Sequence, residues 1–343
     1  EIMSELRKDF MNLYENKLKN NILNNDKNLF IVEGIIYAVT FCKKENEQNG
    51  YAQIKSDIVQ IFNQWVLYIQ KAKGLLEANN NLTPEQNNEV NKLLIILKSI
   101  SSSAFESLIE SHKKIMYEIL QELYPIINYI LQKLSTDKDI VENCIQLIKV
   151  YMRGLVNDFI KFIPKYVKCI INGYKISPIS SYLYGFEILV TVFPNRKEKE
   201  LVDLLNGTFN ELCTITFNSY IKNKSDLDVY THIGEDFYGM LYRTMKQSPP
   251  IVLKSQILED LINISLNFIT TSQIEIAKNI IIFLKYFIKF QQSDRYKDMY
   301  KIDQNEAESC KKINQYNIEK FSSTLCQKIL QIYINSSIKQ INE

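Results

Sequence analysis

Between Asp226 and Gln292 the chain carries three apolar-periodic runs separated by breaks of only a few residues. In the first, Ile233, Phe237, Leu241 and Met245 recur at helical spacing and line one side of a helix expected over Asp226–Gln247. Ser248-Pro249-Pro250 then stops that helix and begins another. Serine suits an N-cap, and a proline at the first helical position forfeits no bond the helix would make. Ile257, Leu261, Ile264 and Phe268 carry the second helix, expected over Pro249–Thr270 and closed by Thr270-Thr271-Ser272. The third, Ile274 to Gln291, is apolar almost all round, relieved mainly by Lys278, Lys285 and Lys289. Such a helix is expected to be packed on two sides and to be the most buried in the chain, with Ile281 and Leu284 deep in its core.

A single helix pair of this kind leaves an apolar face wet. Full burial of one large apolar side chain gains roughly 1.5–3 kcal/mol, against about 1–2 kcal/mol per residue for ordering the backbone. Stacking pair upon pair covers the remaining face, which is the logic of an α-solenoid. Low glycine and proline (9 and 7 in 343 residues) fit long helices with short turns, and strand-like alternation is missing.

Along the rest of the chain the same cadence recurs. Helices are expected over Ile2–Lys19, Leu29–Cys42, Ala52–Lys73, Val90–Ile100 and Phe105–Leu134, the last bent or broken near Pro125. Further helices are expected over Asp139–Leu155, Asn157–Tyr174, Ser177–Phe193 and Asn195–Lys222, with a final one from about Glu306. Thr83-Pro84-Glu85-Gln86 reads as a capping box with proline in the first turn. Asn-rich residues 74–82 read as a flexible linker, as do charged residues 293–305. Pairs then occupy about forty residues, the period of HEAT repeats. The expected fold is all-α: an α-solenoid of HEAT-type antiparallel helix pairs, one continuous array over 1–343. A compact bundle of the same helices is the competing arrangement.

The segment HIGEDFYGMLYRTMKQSPPIVLKSQILEDLINISLNF, followed by AKNIIIFLKYFI, carries a specific likeness. Glu235-Asp236-Phe237, Gln247-Ser248-Pro249, Leu253, Ser255-Gln256, Ala277 and Phe283-Leu284 fall in order and spacing. They resemble the C-terminal half of the transportin-SR/importin 13 branch of the importin-β superfamily. The resemblance runs more weakly through ELYPIINYILQKL, DIVENCIQLIKVYMRGL and SSYLYGFEILVTVF, from Leu29 to about Gln331. It implies a nuclear transport receptor that binds protein cargo and shuttles between cytoplasm and nucleus through the pore, touching nucleoporins. It also implies Ran GTPase binding through N-terminal repeats that this chain, which begins in mid-pattern without methionine, is expected to lack. In that branch the helix matching Asp139–Leu155 displays arginines toward phosphorylated Arg-Ser-rich cargo, and the row falls on Asn143, Gln146, Lys149 and Arg153. Two of the four are neutral and one is lysine, without arginine's bidentate fork. An ordinary solvated helix face would present the same line.

Nothing in the residues points to catalysis. His112 and His232 lie far apart with no base or ligand set around them, and no Gly-rich phosphate loop occurs. Neither cofactor nor metal is expected, and the expectation is a non-enzyme. The six cysteines are dispersed without a Cys-x-x-Cys pair, as reduced buried thiols would be. A net charge of +2 gives no strong field for nucleic acid or membrane, and no apolar run reaches the ~20 residues of a span. The rival function is a HEAT scaffold for a multiprotein complex, with no role at the pore.

Overall fold

Thr83 caps its helix as its sequence implies. In the computed structural model, which describes residues 2–18, 26–41, 47–79, 81–194, 198–290 and 304–342, Gln86 N donates to Thr83 Oγ1 (3.3 Å). Thr83 N in turn donates to Gln86 Oε1 (2.9 Å), and Pro84 opens the helix. Asp137 caps a later helix with its own side chain, accepting from Ile140 N, and the chain divides into two units, 1–169 and 170–343. All regular structure among the described residues is helical.

The first unit contains α1 (Ile2–Leu13), α2 (Asp26–Phe41), α3 (Glu47–Asn79), α4 (Pro84–Ser107), α5 (Lys114–Lys133) and α6 (Lys138–Leu155). It ends in α7 (Ile163–Ile176), whose last turns belong to the second unit. Helices two apart in sequence lie side by side: α2, α4 and α6 form one row, α3 and α5 the other. Within each row the helices run parallel. Ser99 and Glu106 of α4 bond Glu33 and Tyr37 of α2; further along, Asn91 and Ser101 of α4 bond Asn143 and Tyr151 of α6. In the other row Lys55 pairs with Glu118 at 2.5 Å, and Lys73 sits 5.5 Å over the Tyr129 ring.

The second unit continues with α8 (Ser181–Val192), α9 (Lys199–Ile215), α10 (Asp226–Val229), α11 (Thr231–Gln247), α12 (Pro249–Leu253), α13 (Leu258–Phe268), α14 (Ile274–Lys289) and α15 (Gln304–Asn342). Here α8, α11 and α14 make one row; α9 with α12, and α12 and α13 with α15, make the other. Several bonds between neighbours span about one helix pair: 45 residues for Gln273–Asp228, 44 for Asn279–Glu235, 45 for Ser255–Asn210 and 46 for Tyr220–Tyr174. In the first unit, Tyr14–Ile61 and Ser101–Tyr151 span 47 and 50. Contacts that recur one helix pair onward are the mark of a HEAT solenoid, and each unit is such a stretch.

Several expected boundaries move, each for a visible reason. The helix over Phe105–Leu134 is two: α4 runs on to Ser107, and extended backbone at Leu108 and Ile109 separates it from α5. Leu108 is buried there, so packing ends the helix without proline or glycine. Pro125 lies inside α5 on its exposed side and does not stop it. Residues 74–79, read as linker, are helical to the end of α3, held by fully buried Leu76. Of the second expected loop, 293–303 falls outside the described residues and 304–305 begin α15.

The helix over Pro249–Thr270 breaks at residues 254–257. Ser255 Oγ, 2.6 Å from Asn210 Oδ1 of α9, also accepts from Ile257 N, and these bonds compete with helix continuation. Tyr230 likewise splits the helix over Asp226–Gln247. The helix expected over Asn195–Lys222 is described as helical from Lys199, residues 195–197 lying outside the described set. That over Asn157–Tyr174 begins as a 3-10 stretch, Val156–Phe162.

The largest correction concerns α14. Its lysines are not the only exposed positions: Ile274 and Ile281 are 79% and 49% exposed, and burial is confined to one side through Ile276, Ile280, Phe283, Leu284 and Phe287. Among the described helices longer than the five-residue α12, the most enclosed is α8, with nine of its 12 residues buried. α14 packs against α11, α13 and α15 and still keeps an open stripe. Apolar composition alone does not distinguish a wide buried face from a narrow one with apolar residues left outside.

Candidate functional site

α6 is anchored before it is exposed. Asp137 caps it, accepting from Ile140 N at 3.1 Å. Ile140, Cys144, Leu147, Tyr151 and Leu155 are all buried, as their spacing predicts, and Val141, Ile145, Ile148 and Met152 widen that face. Phe105 of α4 meets the Tyr151 ring edge-on, centroids 5.4 Å apart at 86°. Burial pushes the Tyr151 hydroxyl and the Cys144 thiol far above their ordinary pKa values, so both stay neutral.

What remains outward is Glu142, Gln146, Lys149 and Arg153, a line one turn apart down the helix. Lys149 Nζ donates to Gln146 Oε1 at 3.4 Å, and both are half-buried. Arg153 is exposed. Asn143 stands apart from the other three. It lies at the edge of the line, its Nδ2 donating to Asn91 Oδ1 of α4 at 2.7 Å and to Asp139 O at 3.1 Å. The structure therefore groups Gln146, Lys149 and Arg153 and gives Asn143 to the α4 contact.

Sequence reasoning missed the contribution of α4. The parallel pairs Asn91–Asn143 and Ser101–Tyr151, offset by 52 and 50 residues, put half-buried Lys98 level with Lys149. Lys98, Lys149 and Arg153 thus border one stretch of the α4–α6 surface, with Glu142 as the acid at its upper end. The signal for Lys98 is a cross-helix register, invisible in its own neighbourhood. Such a ridge can hold an anionic segment by charge and hydrogen bonding; it offers no nucleophile and base together. Elsewhere, His112 is buried against the Tyr51 ring at 5.2 Å, while His232 is exposed. Among the described residues no group of three or more His, Cys, Asp or Glu could hold a metal ion. No helix among them is long and apolar enough to cross a membrane.

The fold and this ridge define an α-helical repeat protein of HEAT type. Residues 115–220 match the fourth domain, described as a TPR domain, of the transportin-3/importin-13 family. Over 174 residues, 50% of this chain and 18% of the other, the sequence is 25% identical to the uncharacterized protein C11G11.07 of Schizosaccharomyces pombe. A structure of importin 13 in its cytosolic state matches with a TM-score of 0.61 at 12% identity, over 94% of this chain and 37% of that one. That last likeness is one of fold. Residues 115–220 are thus similar to the transportin-3/importin-13 family, and the chain spans well under half the length of either relative.

Proposed function

We propose that this chain is the cargo-binding HEAT region of a nuclear transport receptor, and that the α6 ridge grips an acidic or phosphorylated segment of protein cargo. The observation that carries the reading is that the matched domain, 115–220, contains α6, whose Lys149 and Arg153 stand on its outward line. In this reading the α2–α4–α6 row faces cargo. Ran and nucleoporins are engaged by the full-length receptor, Ran through repeats outside this chain, and the receptor shuttles between cytoplasm and nucleus in the direction of import. Ran then releases cargo because the solenoid's pitch differs between cargo-bound and Ran-bound states.

The test is peptide binding at low salt, where exposed charge pairs act most strongly. Lys149→Glu with Arg153→Glu should weaken a phosphorylated Arg-Ser peptide while leaving the melting temperature nearly unchanged, since exposed charges add little stability. Gln146→Arg should strengthen it. Asn143→Arg should give less, because it sacrifices the Asn91 bond. Unchanged affinity in all three variants overturns the ridge. Failure of the full-length protein to bind GTP-loaded Ran and Phe-Gly nucleoporin repeats overturns transport in favour of a scaffold.

A further inference from the structure

We propose that the open side of α11 and α14, in the second unit, is a separate docking surface for an acidic protein segment with apolar residues interspersed. The open stripe of α14 is Glu275, Lys278, Ile281, Lys285 and Lys289, with half-buried Ile282 and Tyr286 on the edge toward α11. That orientation follows from two contacts: Asn279 Nδ2 donates to Glu235 O at 3.2 Å, and Lys246 Nζ lies 5.8 Å from the Tyr286 ring centroid. On α11 the matching stripe ends in Tyr242, Arg243 and Lys246.

Arg243 is held ready at the edge of this surface toward α8. Its Nη1 donates to Glu187 of α8, its Nε donates to Tyr242 Oη at 3.0 Å, and its guanidinium stands 5.6 Å from the Tyr242 ring centroid. Glu187 is buried, so Arg243 answers that carboxylate and still keeps Nη2 free of it; an arginine fixed in this way loses little freedom on binding. Lys285 and Lys289 are exposed and have no ion pair among the described residues. The acids of the face sit at the other end: Glu235 and Asp236 begin α11, and Glu275 is 3.2 Å from Lys278.

The C-terminal halves of α11 and α14 therefore present Arg243, Lys246, Lys285 and Lys289 against a single carboxylate, already paired. Helix C-termini attract cations unaided, but that does not place Tyr242, Tyr286 and a 49%-exposed Ile281 among them. Cations alternating with aromatic and aliphatic surface complement carboxylates alternating with apolar side chains. Arginine with tyrosine is also the composition that dominates interface energetics.

The experiment uses the whole chain and a fluorescein-labelled peptide of alternating glutamate and leucine, followed by anisotropy at low salt. Lys246→Glu, Lys285→Glu and Lys289→Glu together should weaken it about tenfold or more, each exposed pair counting for a few-fold. Arg243 is left intact so that Glu187 keeps its partner. Lys71→Glu with Lys133→Glu, which removes tyrosine-flanked lysines from the first unit, should change nothing. Reversal at Lys149 and Arg153 should also leave this binding intact, which separates the idea from the α6 ridge. The proposal is overturned if wild type fails to bind, if the triple reversal binds like wild type, or if the Lys71/Lys133 control loses as much. It falls equally if an all-glutamate peptide binds as well, or if a single-stranded oligonucleotide binds more tightly, which would make the surface a nucleic-acid site.

Discussion

The ring of Phe105 lies on the bare backbone of Gly154. A Cβ built at Gly154 would stand 2.3 Å from two of the ring carbons, closer than any packed contact allows. α4 and α6 approach through this gap, one residue beyond Arg153, so the glycine sets the spacing of the ridge itself.

Gly154→Ala should destabilise the first unit by about 1–3 kcal/mol, the usual range for overpacking. Gly207 of α9 makes the opposite case: it is exposed, and a Cβ there meets nothing within 4 Å. Gly207→Ala should stabilise by about 0.5–1 kcal/mol through helix propensity alone. Urea midpoints of the two variants should move in opposite directions.

Leu284 and Ile281 are three positions apart on α14 but differ in burial, 5% against 49% exposed. Leu284→Ala should cost about 2–5 kcal/mol, whereas Ile281→Ala should stay within about 0.5 kcal/mol, as exposed substitutions do. Equal losses in thermal unfolding would mean that the α14 stripe is covered.

That contrast marks how far the residues could be read. The period of the apolar positions identified α6's buried face residue by residue, because one helix's own stripe is enough to place Ile140, Cys144, Leu147, Tyr151 and Leu155. It could not grade burial between helices. α8 and α14 are both strongly apolar, and their own patterns do not say that α8 buries the larger share. Breaks at Ser255 and Leu108 were hidden for the same reason, since a bond to Asn210 and a packed leucine are tertiary facts. At the ridge, Lys149 and Arg153 were legible; Lys98 and the Asn91–Asn143 bond depend on register between helices and were not.

Arg7 of α1 and Asp57 of α3 pair at 2.9 Å, with the Asp57 side chain almost fully buried. Burial raises the Asp57 pKa, and Arg7 opposes that rise. A carboxyl whose folded pKa is raised favours the fold below its unfolded value, about 3.9, and loses that contribution as pH climbs through the folded value. Arg7→Ala should raise the Asp57 pKa further. Its cost, measured as the difference in unfolding free energy from wild type, should be small in acid and approach about 3 kcal/mol at neutral pH. A cost independent of pH would show that the pair is not coupled.

The thiols should report unfolding unit by unit. Burial pushes Cys144 and Cys213 well up, Cys169 to about 12 and Cys310 to about 11, whereas Cys326 is exposed. Among these five, a neutral-pH maleimide should label Cys326 at once and the rest only on opening. Mass spectrometry after timed labelling in mild denaturant should give one rate for Cys144 and Cys169 and another for Cys213 and Cys310.

The short reach along the sequence of the bonds between neighbouring helices has a consequence for how the chain acquires its structure. Glu106 reaches Tyr37 across 69 residues, the longest of these links, and most span fewer than fifty. Once a pair and its successor have left the ribosome, every partner they need is already present. Each turn of the stack can therefore settle during synthesis, without waiting for distant sequence and with little loop-closure entropy to overcome. The pair made last leaves an apolar flank exposed to the solvent until its successor emerges.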